Sequence, residues 1–308
     1  MAVHFSISMR VVVFGASGVQ GAAQVVALIK SGHHPVAVSR KSNPYAINGQ
    51  QIETFAADFS DLGAVQKSLQ NAEAIFLNLP SLSFQPAEPI IEAARTIGEA
   101  AKQTPSIRLI VFNTSMPVSD QSTGIEAQDR RRRIRDMLRH MGLPVISIQP
   151  GVFLDNLLEG WAWPPIRDHN IVRYCHYPGN EVSWIGLDDL ASLMVAALQR
   201  PELAGRNFAV GGPETVRLPE LAGKLSKAWN RPLTHEFQSI DNFAYKLGEA
   251  MKGRATLDHD LLTAQVVRAY TWYNETNAFK IDMEPVLKEL PAELTSIEEW
   301  ARRHNLFV

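Results

Sequence analysis

The chain has 308 residues, with 30 Lys and Arg against 32 Asp and Glu and a formal charge of −2. Such a near-neutral chain has no bulk electrostatic attraction for nucleic acid or anionic lipid, so neither is an expected partner. Its one cysteine, Cys175, cannot form an internal disulfide, and no apolar run approaches the ~18 residues of a membrane span. Residues 1–8 lack the basic and long apolar regions of a secretion signal and read as a short tail. A soluble protein of the reducing cytoplasm is expected, with Cys175 a small buried apolar residue rather than a reactive thiol.

Residues 10–14 are an apolar, β-branched run, followed by Gly15, Ser17, Gly18, Val19, Gln20 and Gly21, then by Val25, Val26, Leu28 and Ile29 at helical spacing. A strand, a tight turn and a helix N-terminus in that order form a site for a dinucleotide pyrophosphate. Gly15 permits the turn, Gly18 lets backbone amides approach the phosphate, Gly21 lets helix and strand pack closely, and Ser17 adds a hydroxyl donor. The competing reading is a glycine-rich turn that holds no nucleotide. The GxxGxxG spacing resembles the short-chain dehydrogenase/reductase branch of the Rossmann folds.

Gly32 and Pro35 stop the first helix, and a second strand exits at Ser39, Arg40 and Lys41. At that exit an acid takes the ribose 2′-hydroxyl of NAD, whereas a base accommodates the 2′-phosphate of NADP. No Asp or Glu lies between Gly21 and Glu53, so NADP (NADPH) is expected over NAD. Solvated side chains are the alternative, more so for Lys41 than for Arg40. A third strand, 51–58, ends at Asp58, placed to meet the adenine amino group or to form a turn, and Asp61 caps a helix through residue 69. The fourth strand, 74–80, exits at Asn78, Leu79 and Pro80, beside the cofactor riboses; a helix over 88–102 and a fifth strand ending at Asn113 and Ser115 follow. This regular beat demands a parallel sheet with right-handed crossovers, so all these exits share the edge where ligands bind.

The glycine motif, Ala57-Asp58, Asn113-Thr114-Ser115, Gly142-Leu143-Pro144 followed by 149–156, and 183–191 together resemble the NmrA-like family of atypical short-chain dehydrogenases/reductases. The resemblance covers residues 10 to 230, with a weaker echo at 290–300. It implies an NAD(P)-binding sheet and a C-terminal part that closes over a small substrate. The chain departs from the pattern where it matters. Short-chain dehydrogenases generally use Tyr-x-x-x-Lys after the fifth strand, and neither Tyr nor Lys occurs between Met116 and Met141. Aligning Gly142-Leu143-Pro144 sets Arg131 at the family's Lys position. Arginine can polarise a carbonyl, but with a pKa above ~12 it is a poor proton donor, and its fork suits an anion.

Arg131 belongs to a run of four arginines, 130–133, on a helix over 126–139. Ile134, Met137, Leu138 and Met141 define its buried stripe, which puts Arg130 and Arg131 toward the stripe's edge and sends Arg132, Arg135 and Arg139 to water. A solvated helix face is favoured over a nucleic-acid surface.

After a sixth strand, 145–149, and Gly151, residues 153–165 break the βα beat where a substrate cap would be inserted. Residues 171–177 alternate like a strand, and Trp161, Trp163, Tyr174 and Tyr177 either line an aromatic pocket or simply pack. His169 and His176 are candidate acids, and no His, Cys and carboxylate cluster has metal-ligand spacing. A helix over 187–199 and a strand over 207–212 return to the sheet; helices over 219–229, 241–252, 257–273 and 296–304 form the rest. The expected fold is therefore α/β: a Rossmann doubly wound parallel sheet (1–152, with 184–212 returning to it) and a smaller, mostly helical substrate lobe (153–183 and 213–308).

Two functions are compatible with this pattern. The first is an NADP(H)-dependent reductase of a small carbonyl, quinone or other apolar unsaturated substrate, with nicotinamide beside Leu79, Ser115 and Gly151. Ser115 or Arg131 would bind the developing oxyanion, and water or His176 would deliver the proton. The second is a non-catalytic NADP(H) sensor that signals to a protein partner, as some members of the resembled family do. The missing Tyr and Lys argue for the sensor; the aromatic cap argues for the reductase, which is the leading expectation.

Overall fold

Val11, Val12, Val13 and Phe14 are all fully buried, so successive side chains of one strand must be covered from both sides. The computed structural model, which describes residues 8–41, 46–47, 49–81, 85–253 and 258–307, shows how. The N-terminal tail and residue 257, where the expected third helix of the C-terminal lobe begins, lie outside the described residues, apart from Ser8.

The chain runs β1 (Arg10–Phe14), α1 (Val19–Lys30), β2 (His34–Ser39), the short pair β3 (Ala46–Ile47) and β4 (Gln50–Gln51), then β5 (Glu53–Ala56) and α2 (Leu62–Ser68). It continues through β6 (Ala74–Leu77), α3 (Ala87–Lys102), β7 (Leu109–Asn113), α4 (Glu126–His140) and β8 (Val145–Pro150). Next come β9 (Val152–Phe153), α5 (Trp163–His169), β10 (Ile171–Tyr174), β11 (Val182–Ile185), α6 (Leu187–Leu198) and β12 (Asn207–Val210). Last are β13 (Thr215–Val216), α7 (Leu218–Trp229), β14 (Thr234–Phe237), α8 (Ile240–Ala250), α9 (His259–Thr276), α10 (Glu284–Glu289) and α11 (Ile297–Arg303).

The main sheet has seven strands in the order β12-β8-β7-β6-β1-β2-β5, every pair parallel. Val11 and Val13 pack with Val25 and Leu28 of α1 and Leu190, Leu193 and Met194 of α6. Val12 and Phe14 face the other way, toward Val65 of α2, Ile91 and Ala94 of α3, and Ile134 and Leu138 of α4. The strand order reverses between β1 and β6, which makes their exits the switch point of a doubly wound sheet. Asp61 caps α2, its carboxylate accepting from the Ala64 amide at 3.0 Å.

A third core, built from Tyr174, Trp184, Leu221, Phe243, Leu262, Val266 and Trp300 among others, holds the C-terminal lobe together. β10 and β14 pair in parallel there, and the Trp229 indole donates to the Ala301 carbonyl at 2.6 Å, joining α7 to α11. Ile281, Met283, Val286 and Leu290 instead pack into the core shared by α1 and α6, so the segment around α10 reaches back to the main sheet.

One surface expectation is corrected. Arg135 does not project to water: its side chain is only 4% exposed, with Nη1 donating to Asp120 and Nε to Asp136, each at 2.8 Å. Arg139 is also held, donating to the Arg206 carbonyl at 2.9 Å and to Asn207 Oδ1 at 2.8 Å. Arg135 and Arg139 thus tie α4 to neighbouring chain, including the start of β12, rather than facing water.

Candidate active site

Between β1 and α1 the chain turns at Gly15, whose φ of +75° lies in the left-handed region. A Cβ on Gly21 would stand 2.8 Å from Ala16 Cα and nearer still to the Gly15 carbonyl oxygen. A Cβ on Gly18 would meet nothing in the protein closer than that same oxygen, at 3.4 Å. The protein itself therefore leaves the space over Gly18 open. No side chain caps α1 and no acid sits in its first turn, while Val19 stands 68% exposed beside it. First-turn amides without a side-chain cap, over a cradle that Cβ atoms would fill, fit a pyrophosphate.

At the switch point a buried amide network fixes the floor. Asn78 Nδ2 donates to the Phe14 carbonyl at 2.9 Å and exchanges hydrogen bonds with Gln24 at 2.7 and 2.8 Å. Asn113 Nδ2 donates to Asn78 Oδ1 at 3.0 Å and to Gln20 Oε1 at 2.6 Å. Ser115, held at a φ of +60°, donates its amide to Asn113 Oδ1 at 2.9 Å and its hydroxyl to Gln20 Oε1 at 3.1 Å. The exits of β1, β6 and β7 are thereby locked to the first turn of α1.

At the other end of the cradle Arg40 and Lys41 are exposed, and the Ser39 hydroxyl donates to the Lys41 carbonyl at 2.6 Å. Asp58 accepts from the Ser60 amide at 3.0 Å and hydroxyl at 2.8 Å, the geometry of a turn former. Those bonds, with Arg40 nearby, hold its carboxyl below the usual range.

A cavity of about 430 Å³ lies where this edge meets the C-terminal lobe. Gln20, Leu79, Ser115 and Gly151 line it from the sheet, and Trp161, Phe243, Tyr270, Tyr273 and Phe279 from the lobe. Gly151 is needed for packing as well, since a Cβ there would stand 2.5 Å from the Ser183 carbonyl oxygen. Arg131 enters from α4, only 4% exposed, with Nε donating to the Thr114 carbonyl at 2.7 Å and Nη1 to the Ala127 carbonyl at 2.8 Å. Burial lowers its pKa to about 10, opposed by the neighbouring Tyr273. Burial likewise pushes the Tyr273 phenol up, and Arg131 counteracts this; its hydroxyl donates to Met116 Sδ at 3.0 Å. Tyr270 is hydrogen-bonded to Tyr174, whose hydroxyl accepts from Asn156 Nδ2 at 3.3 Å.

Residues 8–301 match the NmrA-like family. The chain belongs to the NmrA-like family. A relative, (4-alkanoyl-5-oxo-2,5-dihydrofuran-3-yl)methyl phosphate reductase of Streptomyces griseus subsp. griseus, is 29% identical over 232 residues, 75% of this chain and 78% of its own length. The NADPH-dependent quinone oxidoreductase of Escherichia coli, solved with NADPH, has a TM-score of 0.74 at 19% identity, covering 96% of this chain and 99% of its own. NmrA, a negative transcriptional regulator solved with NADP, has a TM-score of 0.74 at 17% identity, covering 98% of this chain and 97% of its own. The same regulator has also been solved with NAD. The fold is thus shared by reductases and by a regulator, and function has to be argued from the site.

In this NmrA-like chain the structure brings Gln20, Leu79, Ser115, Arg131 and Gly151 to one cavity. It does not bring His176 there. That ring is 3% exposed and stacked on Tyr174 with centroids 4.8 Å apart; burial lowers its pKa to about 4, so it is neutral and enclosed. His169 ends α5 outside the cavity lining. Of the four aromatics expected to line or pack, only Trp161 lines the cavity; Trp163 packs on Trp229 and Phe307. Cys175 is buried, and burial pushes its thiol up. Sequence reasoning missed the lining residues Phe243, Phe279, Tyr270 and Tyr273, the last two one helical turn apart on α9. That spacing was the only signal of the two tyrosines. Among the described residues no three His, Cys, Asp or Glu could hold a metal, and no helix is long and apolar enough to cross a membrane.

Proposed function

We propose that this NmrA-like chain is an NADP(H)-dependent reductase of a small, largely apolar unsaturated substrate such as a carbonyl or quinone. The observation that carries the reading is the shared lining of one cavity: cofactor-edge residues Gln20, Leu79, Ser115 and Gly151 on one side, Trp161, Phe243 and Tyr270 on the other. A nicotinamide dinucleotide, when bound, supplies the hydride, and the aromatic side of the cavity would hold the acceptor. The Arg131 guanidinium would stabilise negative charge developing on the substrate oxygen. Tyr273, protonated and beside Arg131, is the proton donor this reading assigns, its hydroxyl proton passing to that oxygen. The pair does from two helices what the short-chain dehydrogenases do from one motif. Exposed Arg40, with no acid at the exit of β2, supports NADP over NAD.

The second reading is a non-catalytic NADP(H) sensor acting through a protein partner. It is favoured by the absence of Tyr and Lys on α4 and by the likeness to a transcriptional regulator. Purified protein with NADPH and a panel of quinones and aldehydes, followed by loss of nicotinamide absorbance, separates the two. Turnover that falls at least tenfold in Tyr273→Phe supports the reductase. Tight NADPH binding with no oxidation by any acceptor supports the sensor.

A further inference from the structure

The arginines of α4 differ from one another in a telling way. Arg130 pairs with Glu126 at 2.9 Å, Arg132 with Asp129 at 3.6 Å, Arg133 with Glu88 at 3.1 Å, and Arg135 with Asp120 and Asp136. Arg131 sits in the middle of this series, lines the cavity and has no carboxylate partner among the described residues. Among the described residues its acceptors are two neutral carbonyls, those of Thr114 and Ala127, which leaves N–H groups of the fork without an acceptor there. A buried charge without a counter-charge is costly to keep, and a guanidinium fork matches carboxylate or phosphate oxygens.

We propose that the cavity binds a ligand with one anionic group, a carboxylate or a phosphate monoester on an apolar stem, seated on Arg131. The claim rests on the reductase reading and deepens it by naming a substrate class: the three N–H groups of Arg131 not engaged by Thr114 and Ala127 would serve both the anionic group and the reacting oxygen, and the binding event itself needs no turnover. Arg268, exposed on the lining, donates to the Gly124 carbonyl at 2.9 Å and, among the described residues, adds positive charge without an acidic partner. Of the two carboxylates on the lining, Glu126 is engaged by Arg130 and by Gln265 at 3.0 Å. Glu159 has no cation partner among the described residues and disfavours a second anionic group on the ligand. Leu247, Val266, Phe243 and Phe279 supply the apolar contact for the stem.

The test is titration calorimetry on the full chain, with and without saturating NADPH, using two matched pairs: 4-phenylbutyrate against 4-phenylbutanamide, and benzyl phosphate against benzyl alcohol. At least one acid should bind at least tenfold more tightly than its neutral partner, and which pair shows the larger gap tells carboxylate from phosphate. In Arg131→Gln the gap should shrink to within about twofold, whereas Arg131→Lys should keep part of it. Equal binding within both pairs, no measurable binding of either acid, or a gap that survives Arg131→Gln overturns the proposal. If Arg131→Gln does not fold, the wild-type pairs alone decide. NADPH affinity is read in the same experiments, so loss of the cofactor reading and loss of the anion site are separate outcomes.

Discussion

Asn78 donates from Nδ2 to the Phe14 carbonyl at 2.9 Å, stitching together the exits of β6 and β1 where the strand order reverses. The same side chain meets Gln24 and Asn113, so one residue satisfies three buried partners. Asn78→Leu removes every one of these bonds at once and strands polar groups that water cannot reach. The expected loss is about 3 kcal/mol in urea unfolding, with weaker NADPH binding because Gln20 and Ser115 hang on the same network. A loss under about 1 kcal/mol would mean that the network is ornamental.

The two later glycines of the cradle separate folding from ligand binding. In Gly21→Ala the new methyl group meets backbone of Ala16 at 2.8 Å, and backbone cannot step aside as a side chain can. That variant should lose about 2–3 kcal/mol and its Tm should drop by roughly 3–5 °C. Gly18→Ala meets only the Gly15 oxygen at 3.4 Å and has an ordinary extended φ of −83°, so its Tm should stay close to wild type. Its NADPH affinity should fall at least tenfold, because the methyl group occupies the space a phosphate would use. Calorimetry and thermal unfolding on both variants check the pair of statements.

On the proposed reading, Arg40 selects NADP over NAD. Its side chain is exposed, and it acts electrostatically on the Asp58 carboxylate. Charge-assisted hydrogen bonds to a 2′-phosphate are worth about 1.5–3 kcal/mol, so Arg40→Ala should weaken NADPH by roughly 10- to 100-fold. NADH lacks that phosphate and should change by no more than about twofold. Equal losses for both would refute the assignment.

What the sequence made legible was whatever depends on neighbours in the chain. The turn through Gly15 and Gly21, the parallel sheet and the Asp61 cap follow from local spacing, and all are present. Burial of Arg135 was hidden because its partner Asp120 lies in the loop before α4, where no helical period connects them. α10, Glu284–Glu289, is too short for its apolar residues to show a period, yet Val286 packs into the main core. Tyr273 was missed for the same reason on a larger scale: α9 and α4 meet only in three dimensions. Chemistry assembled from distant helices leaves no motif to read.

His176 gives the chain a predictable response to acid. Enclosed and stacked on Tyr174, it has a folded-state pKa of about 4 against 6.5 for the free side chain, because burial penalises the charged ring. Between those values the unfolded chain takes up a proton that the folded chain refuses. Stability from this residue is therefore fully present above pH 6.5 and is lost as pH falls toward 4, at up to about 1.4 kcal/mol per pH unit. In His176→Phe, where the ring cannot titrate, that component disappears. Urea unfolding at pH 7 and pH 4.5 should show wild type losing about 2 kcal/mol more than the variant between the two conditions. Parallel losses would show that the imidazole already accepts a proton in the folded chain and is reached by solvent.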